Sequence, residues 1–237
     1  KIIKKGYVHP STIFINDESI YIYNNSYIGA GSILDASDGP IIIKENSKID
    51  IGALIKGPAV IGNDSIINPG TKLNGNVIIG PMCKIGGELE DSIIQGYTNK
   101  QHEGYLGHSY LGEWINIGAN TNNSDLKNNY SKISIELNNK KIETNRLFIG
   151  TMMGDYTRTG ISTMLNTATN IGIGANIFGS GFQKKNIPSF QWGESDIVDI
   201  DKLISTCKTM KLRRNKILRK YEENLIRSLY HRIKIES

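Results

Sequence analysis

Cysteine is scarce: Cys83 and Cys207 are the only two in 237 residues. Two are too few for a disulfide framework, and a reducing cytoplasm is the expected compartment. No run of about 18 apolar residues occurs, so no membrane-spanning helix is expected. The opening Lys1–Gly6 lacks the apolar core and small-residue cleavage site of a signal peptide. The chain starts with Lys1 rather than Met, which reads as a piece of a longer protein or one with its front removed. No Cys or carboxylate cluster flanks the histidines in sequence, so no metal is expected. Gly172-Ile173-Gly174 lacks the third glycine of a dinucleotide fingerprint and reads as a corner. Neither Cys83 nor Ser109 sits in a nucleophile elbow.

Charge is unevenly placed. The net charge is +5, yet residues 207–234 hold ten Lys or Arg against Glu222 and Glu223, a local +8, so the rest sums to −3. The basic character belongs to the tail. A solvated helix face is favoured there over a nucleic-acid surface.

What the chain has in abundance is a period of six. Ile43, Ile49, Ile55, Ile61, Ile67, Leu73, Ile79 and Ile85 recur at one phase. Helices repeat every 3.6 residues and strands every 2, so neither accounts for it. A stack of short strands joined by corners does, each strand sending one aliphatic side chain inward. The expected fold is an all-β solenoid, a parallel β-helix of hexapeptide repeats. Glycine and proline between the repeats, as in Gly57-Pro58 and Pro69-Gly70, suit tight corners.

The period organises the rest. Residues 1–25 read as a lead-in or cap, and 26–182 as the β-helix. Excursions are expected at 88–104, where the period is lost, and at 120–146. Within the second, Ile133–Leu137, Asn138-Asn139 and Lys140–Thr144 read as a hairpin. Residues 183–237 read as an extended strap and a basic helical tail, serving as a solenoid cap or packing on a neighbouring subunit.

Chemistry is expected where the period breaks. Two of four histidines, His102 and His108, lie among Tyr, Asn and Glu between Asn99 and Asp125. A neutral imidazole near pH 7 acts as a general base when a loop aims it into a groove. Arg158 and Lys184-Lys185 are cations able to meet phosphates.

The hexapeptide run, then His102-x-x-Tyr105-Leu106-Gly107, then Gly112-x-x-Ile115-Asn116-Ile117-Gly118-Ala119-x-Thr121, resembles the acetyltransferase half of the bifunctional N-acetylglucosamine-1-phosphate uridyltransferases and related sugar-nucleotidyltransferase-like proteins. The match covers about residues 27–180. It implies a left-handed β-helix and a homotrimer, with acetyl-CoA and an amino sugar phosphate in grooves between subunits. It implies His102 as the general base and Glu90 as an acidic residue near the reacting amine. Tyr105 and Asn116 then hold the sugar phosphate, while Ala119 and Thr121, with Arg158, lie beside the cofactor. The family's Arg-Pro pair stands here as Asn68-Pro69, and no basic residue follows Glu90, where Asp91-Ser92 stand. Lys84 and Lys100 are the candidates to replace those cations at the substrate. Asp125-Leu126 replaces an Asn-Tyr pair.

The family's nucleotide-binding loop, Leu-x-x-Gly-x-Gly-Thr-Arg, is absent, so nucleotidyl transfer is not expected of this chain alone. An N-terminal nucleotidyltransferase domain of a parent protein is the implied partner. The expected function is acyl-CoA-dependent N-acyl transfer to an amino sugar or its phosphate. The alternative is a non-catalytic, trimerising and regulatory β-helix. Neither membrane nor nucleic acid is an expected partner.

Overall fold

The computed structural model describes residues 4–137 and 140–236, with side chains through Ile233. The eight hexad residues fall into three ladders. Ile43 pairs with Ile61 and Ile61 with Ile79, while Ile49 pairs with Ile67 and Ile67 with Ile85. Ile55 pairs with Leu73. Each partner lies 18 residues on, so one coil holds three short parallel strands with one inward aliphatic each. All eight are at most 2% exposed and share one core. Burying each contributes about 1.5–3 kcal/mol. The fold is the parallel β-helix read from the period, left-handed as the resemblance implies, about ten turns long and followed by two helices.

Three faces result. The first runs through six strands from Tyr7–Val8 to Asn99–Lys100, and continues past a bridge at Asn116 into Arg158–Thr159 and Asn176–Ile177. The second runs from Ile13–Ile15 to Tyr105–Gly107, and the third through nine strands from Ile20–Ile22 to Asn186–Ile187. Beyond Tyr105–Gly107, side chains replace the backbone ladder. Asn122 Oδ1 accepts from the Tyr105 N–H at 2.8 Å, and Asn123 Oδ1 from the Gly107 N–H at 2.9 Å.

Two expectations are corrected. Residues 1–25 are more than a lead-in: Tyr7–Val8, Ile13–Ile15 and Ile20–Ile22 pair in parallel with the next coil and form the first one. Residues 88–104 are not an excursion either. Glu88–Glu90, Ile93–Gly96 and Asn99–Lys100 each extend a face. The period vanished because the corners shorten: Ile79 pairs with Ile94 and Ile85 with Lys100, 15 residues on rather than 18. Lys100 also puts a charged residue at an inward position.

The excursion over 120–146 begins later than expected, since Asn122–Asn123 still belong to the coil. Ile133–Leu137 and Lys140–Arg146 form the antiparallel hairpin, and an antiparallel bridge of Leu126 to Phe148 closes its neck. Its Asn138-Asn139 turn lies outside the described residues.

The tail comprises α1 (Ile200–Leu212), capped by Asp199 through the N–H groups of Asp201 and Lys202, and α2 (Lys220–Glu236). It docks on one corner of the prism. Early coils place Asn25, Asn46 and Asp64 there with positive φ, whereas later ones place Tyr97, Trp114, Tyr156 and Phe190, at φ of 51, 60, 61 and 62°. A left-handed conformation costs a non-glycine residue about 1–2 kcal/mol. Burial of an aromatic ring contributes about 1.5–3 kcal/mol, so packing offsets the strain. Trp114, Tyr156 and Phe190 share a second core with Leu203, Cys207 and Tyr230, and Tyr97 stacks on Trp114 at 4.3 Å. Among the described residues no helix is long and apolar enough to cross a membrane.

Candidate functional site

The strand Tyr105–Gly107 carries the residues of most chemical interest at its two ends. At its far end the corners of three successive coils bring five polar side chains together. The Tyr105 hydroxyl donates to Glu90 Oε1 and also lies 2.7 Å from Asp125 Oδ2. His108 Nδ1 meets the same Asp125 oxygen at 2.8 Å, and its Nε2 faces Asp91 Oδ2 at 3.6 Å. The imidazole stacks on Phe148, ring centroids 4.9 Å apart. Burial, then the two carboxylate acceptors, push the Tyr105 phenol far above its usual pKa. It therefore stays protonated and serves as a donor.

One phenolic proton and one imidazole face three carboxylates. The corner is thus a negatively charged cluster with acceptor oxygens to spare, suited to an organic cation such as an ammonium. Gly107 makes room for it. A Cβ there would lie 2.1 Å from the Tyr105 hydroxyl and 2.5 Å from Asp125 Oδ2. Both obstacles are side-chain ends, so Gly107→Ala is expected to displace the pair while the backbone holds. An acceptor amine bound here would then lose about 10–100-fold in kcat/KM, with little change in melting temperature; steady-state kinetics beside a thermal melt check this.

At the near end stands His102, on an exposed corner, its ring without a side-chain partner among the described residues. Both nitrogens of His108 already face carboxylates, whereas those of His102 are open to a substrate. Ala119 lies half-buried on the adjoining coil, where its carbonyl accepts from the Ser162 N–H at 2.7 Å.

Two of the residues chosen from sequence turn inward. Lys100 was expected to meet the substrate, but it is 2% exposed inside the coil. Its Nζ donates to the carbonyls of Gly86, His102 and Gly104 at 2.8, 3.2 and 2.6 Å. Thr121, expected beside the cofactor, is 3% exposed, and its hydroxyl pairs with that of Thr159 at 3.0 Å. Lys100 occupies an inward ladder position and Thr121 a buried position in the turn just before Asn122–Asn123, so neither side chain reaches the outer surface. Lys84, Asn116 and Arg158 instead come together on the first face, in a groove beside α1.

Sequence reasoning missed Asp125 as a partner of His108 and left both outside the site. They are 17 residues apart, which is one coil. The argument against a metal rested on the absence of carboxylates near the histidines in sequence, and the fold does bring Glu90 and Asp125 to His108, with donor atoms within 4.8 Å of one another. Of those oxygens, Glu90 Oε1 and Asp125 Oδ2 already meet the Tyr105 hydroxyl, and Asp125 Oδ2 also meets the imidazole.

No protein-family model matches the chain. A bifunctional sugar-1-phosphate nucleotidylyltransferase/acetyltransferase of Sulfurisphaera tokodaii is 30% identical over 142 residues, covering 59% of this chain and 35% of that protein. The bifunctional protein GlmU of Synechococcus sp. (strain CC9605) is 27% identical over 195 residues, 74% of this chain and 40% of its own length. That of Acaryochloris marina is 29% identical over 186 residues, 76% and 36%. The chain resembles the C-terminal part of GlmU-type bifunctional proteins. It spans between a third and two-fifths of the length of these relatives.

Proposed function

We propose that the chain catalyses acyl transfer from acetyl-CoA to the amine of an amino sugar or amino sugar phosphate. The observation that carries this is the cluster of Glu90, Asp91 and Asp125 around one phenol and one imidazole, whose surplus negative charge suits an ammonium-bearing acceptor. Glu90 and Tyr105 hold the acceptor. Once the bound ammonium has released one proton to solvent, the free amine attacks the thioester carbonyl, forming the C–N bond as the C–S bond breaks. His102 takes the N–H proton and returns it to the departing thiolate. Ala119 flanks the donor.

A homotrimer fits this scheme. Ile42, Val60, Ile78, Ile93 and Tyr110 stand in register along the outside of the third face. Ile78, Ile93 and Tyr110 are 39–46% exposed, and such an apolar stripe favours a subunit contact. Of the two activities in the relatives' names, only acetyl transfer is carried to this chain; nucleotidyl transfer would belong to a further N-terminal domain. A cytoplasmic setting suits the two buried free thiols, which burial pushes up to about 11.

The test is thiol release from acetyl-CoA by the purified chain across glucosamine 1-phosphate and related amino sugars. Release that depends on the amino sugar is expected. A folded trimer that releases none with any of them is instead the non-catalytic, regulatory β-helix.

A further inference from the structure

The groove beside α1 has a volume of about 430 Å³, within the range of small-molecule sites. Four cations line it: Lys84 and Arg158 from the first face, and Arg213 and Arg214 from the turn that ends α1. No carboxylate lines it. None of the four forms an ion pair among the described residues, for the tail's acids are engaged elsewhere. Glu222 pairs with Lys211, and Glu223 with Lys208 and Arg227.

The two more buried cations have neutral partners. Arg158 Nη2 donates to the Met210 sulfur at 3.0 Å, and Arg214 Nη2 to Asn99 Oδ1 at 2.7 Å. Burial lowers the pKa of both guanidinium groups, and the Arg213 charge lowers that of Arg214 further. Four like charges around one concavity, two of them partly desolvated, repel one another until an anion enters. A second cavity of about 460 Å³ adjoins the first, shares Arg158 and Thr206 with it, and is lined by Tyr156, Trp192, Val198 and Leu203 together with Asp196, Asp199 and Lys202.

We propose that this groove binds a phosphate-bearing small molecule, with its phosphate or diphosphate held by Lys84, Arg158, Arg213 and Arg214. The rest of that molecule has the adjoining, largely apolar cavity to occupy. The helical tail is then part of a binding site, and its two terminal arginines supply half of the cations. Arginine suits the task because its planar fork binds phosphate oxygens in pairs. The site lies on a different face from the carboxylate cluster, and phosphate binding there does not depend on acyl transfer taking place.

Calorimetric titration of the full chain with inorganic diphosphate, glucosamine 1-phosphate and acetyl-CoA tests this and distinguishes the sources of the phosphate. At least one is expected to bind. Its affinity should fall about tenfold or more in Arg213→Glu, and again when Lys84→Ala is added. Arg213 is exposed, so the fold and its melting temperature should persist. Preferential binding of acetyl-CoA assigns the groove to the acyl donor, and of glucosamine 1-phosphate to the acceptor. Inorganic diphosphate binding as tightly as either gives an unselective phosphate site. A folded chain that binds none of the three, or whose affinity is indifferent to both substitutions, overturns the proposal.

Discussion

Replacing His102 by alanine is expected to lower kcat for acyl transfer by 10²–10⁴-fold while leaving acetyl-CoA affinity and melting temperature unchanged. In barrier height that is about 3–5.5 kcal/mol. A general base needs a nitrogen free to meet the incoming amine, and the exposed ring of His102 has no side-chain partner among the described residues. His108 is placed otherwise, with Nδ1 on Asp125 at 2.8 Å, Nε2 facing Asp91 and one face against Phe148. His108→Ala should therefore act on acceptor binding, raising KM more than it lowers kcat. Single-turnover and steady-state rates of the two variants decide between them. A full rate in His102→Ala, together with a collapse of kcat in His108→Ala, would move the base to the His108–Asp125 pair.

The solenoid was legible because one coil repeats one constraint. Every sixth residue must fill the same narrow interior, and Ile43 through Ile85 do so without exception. The signal failed at Glu88, although the structure continues, because a periodicity assumes corners of constant length. Here they shorten, and Lys100 stands where an aliphatic residue was expected. The carboxylate cluster was half visible. Glu90 and Tyr105 were found through the resemblance, but Asp125 and His108 meet only because one coil lies on the next. That proximity is a property of coil length, which the broken period concealed. The cations of the groove were visible as residues but not as a group. Arg213 and Arg214 read as a solvated helix end, and only the docking of α1 on the aromatic corner brings them beside Lys84 and Arg158.

Lys100 supplies the second large effect. It continues the ladder of Ile67 and Ile85, its three ammonium protons matched by the carbonyl oxygens of Gly86 on the preceding coil and of His102 and Gly104 on its own. In Lys100→Ala the Gly104 carbonyl keeps the Glu88 N–H, but those of Gly86 and His102 lose the donor that holds them. Loss of the buried methylenes adds a cavity. Together these are expected to lower stability by about 3–5 kcal/mol at pH 7, read from denaturant midpoints. The difference should also depend on pH. Burial lowers the folded pKa of Lys100 from 10.5 to about 8, so between these values the unfolded chain holds the proton that the native chain releases. Native stability then rises with pH across that window, by about 3 kcal/mol in all, and the gain disappears as pH falls through 8. Cys83 and Cys207, raised from 9.0 to about 11, act in the opposite sense, but both proteins carry them and the difference cancels their effect. A gap between wild type and Lys100→Ala that stays flat from pH 7 to 10 would mean that Lys100 titrates as it does in the unfolded chain. A gap that widens confirms the lowered folded pKa; that Lys100 holds the corner bearing His102 is read separately, as a fall in kcat of Lys100→Ala at pH 7, from loosening the base rather than from removing a substrate contact.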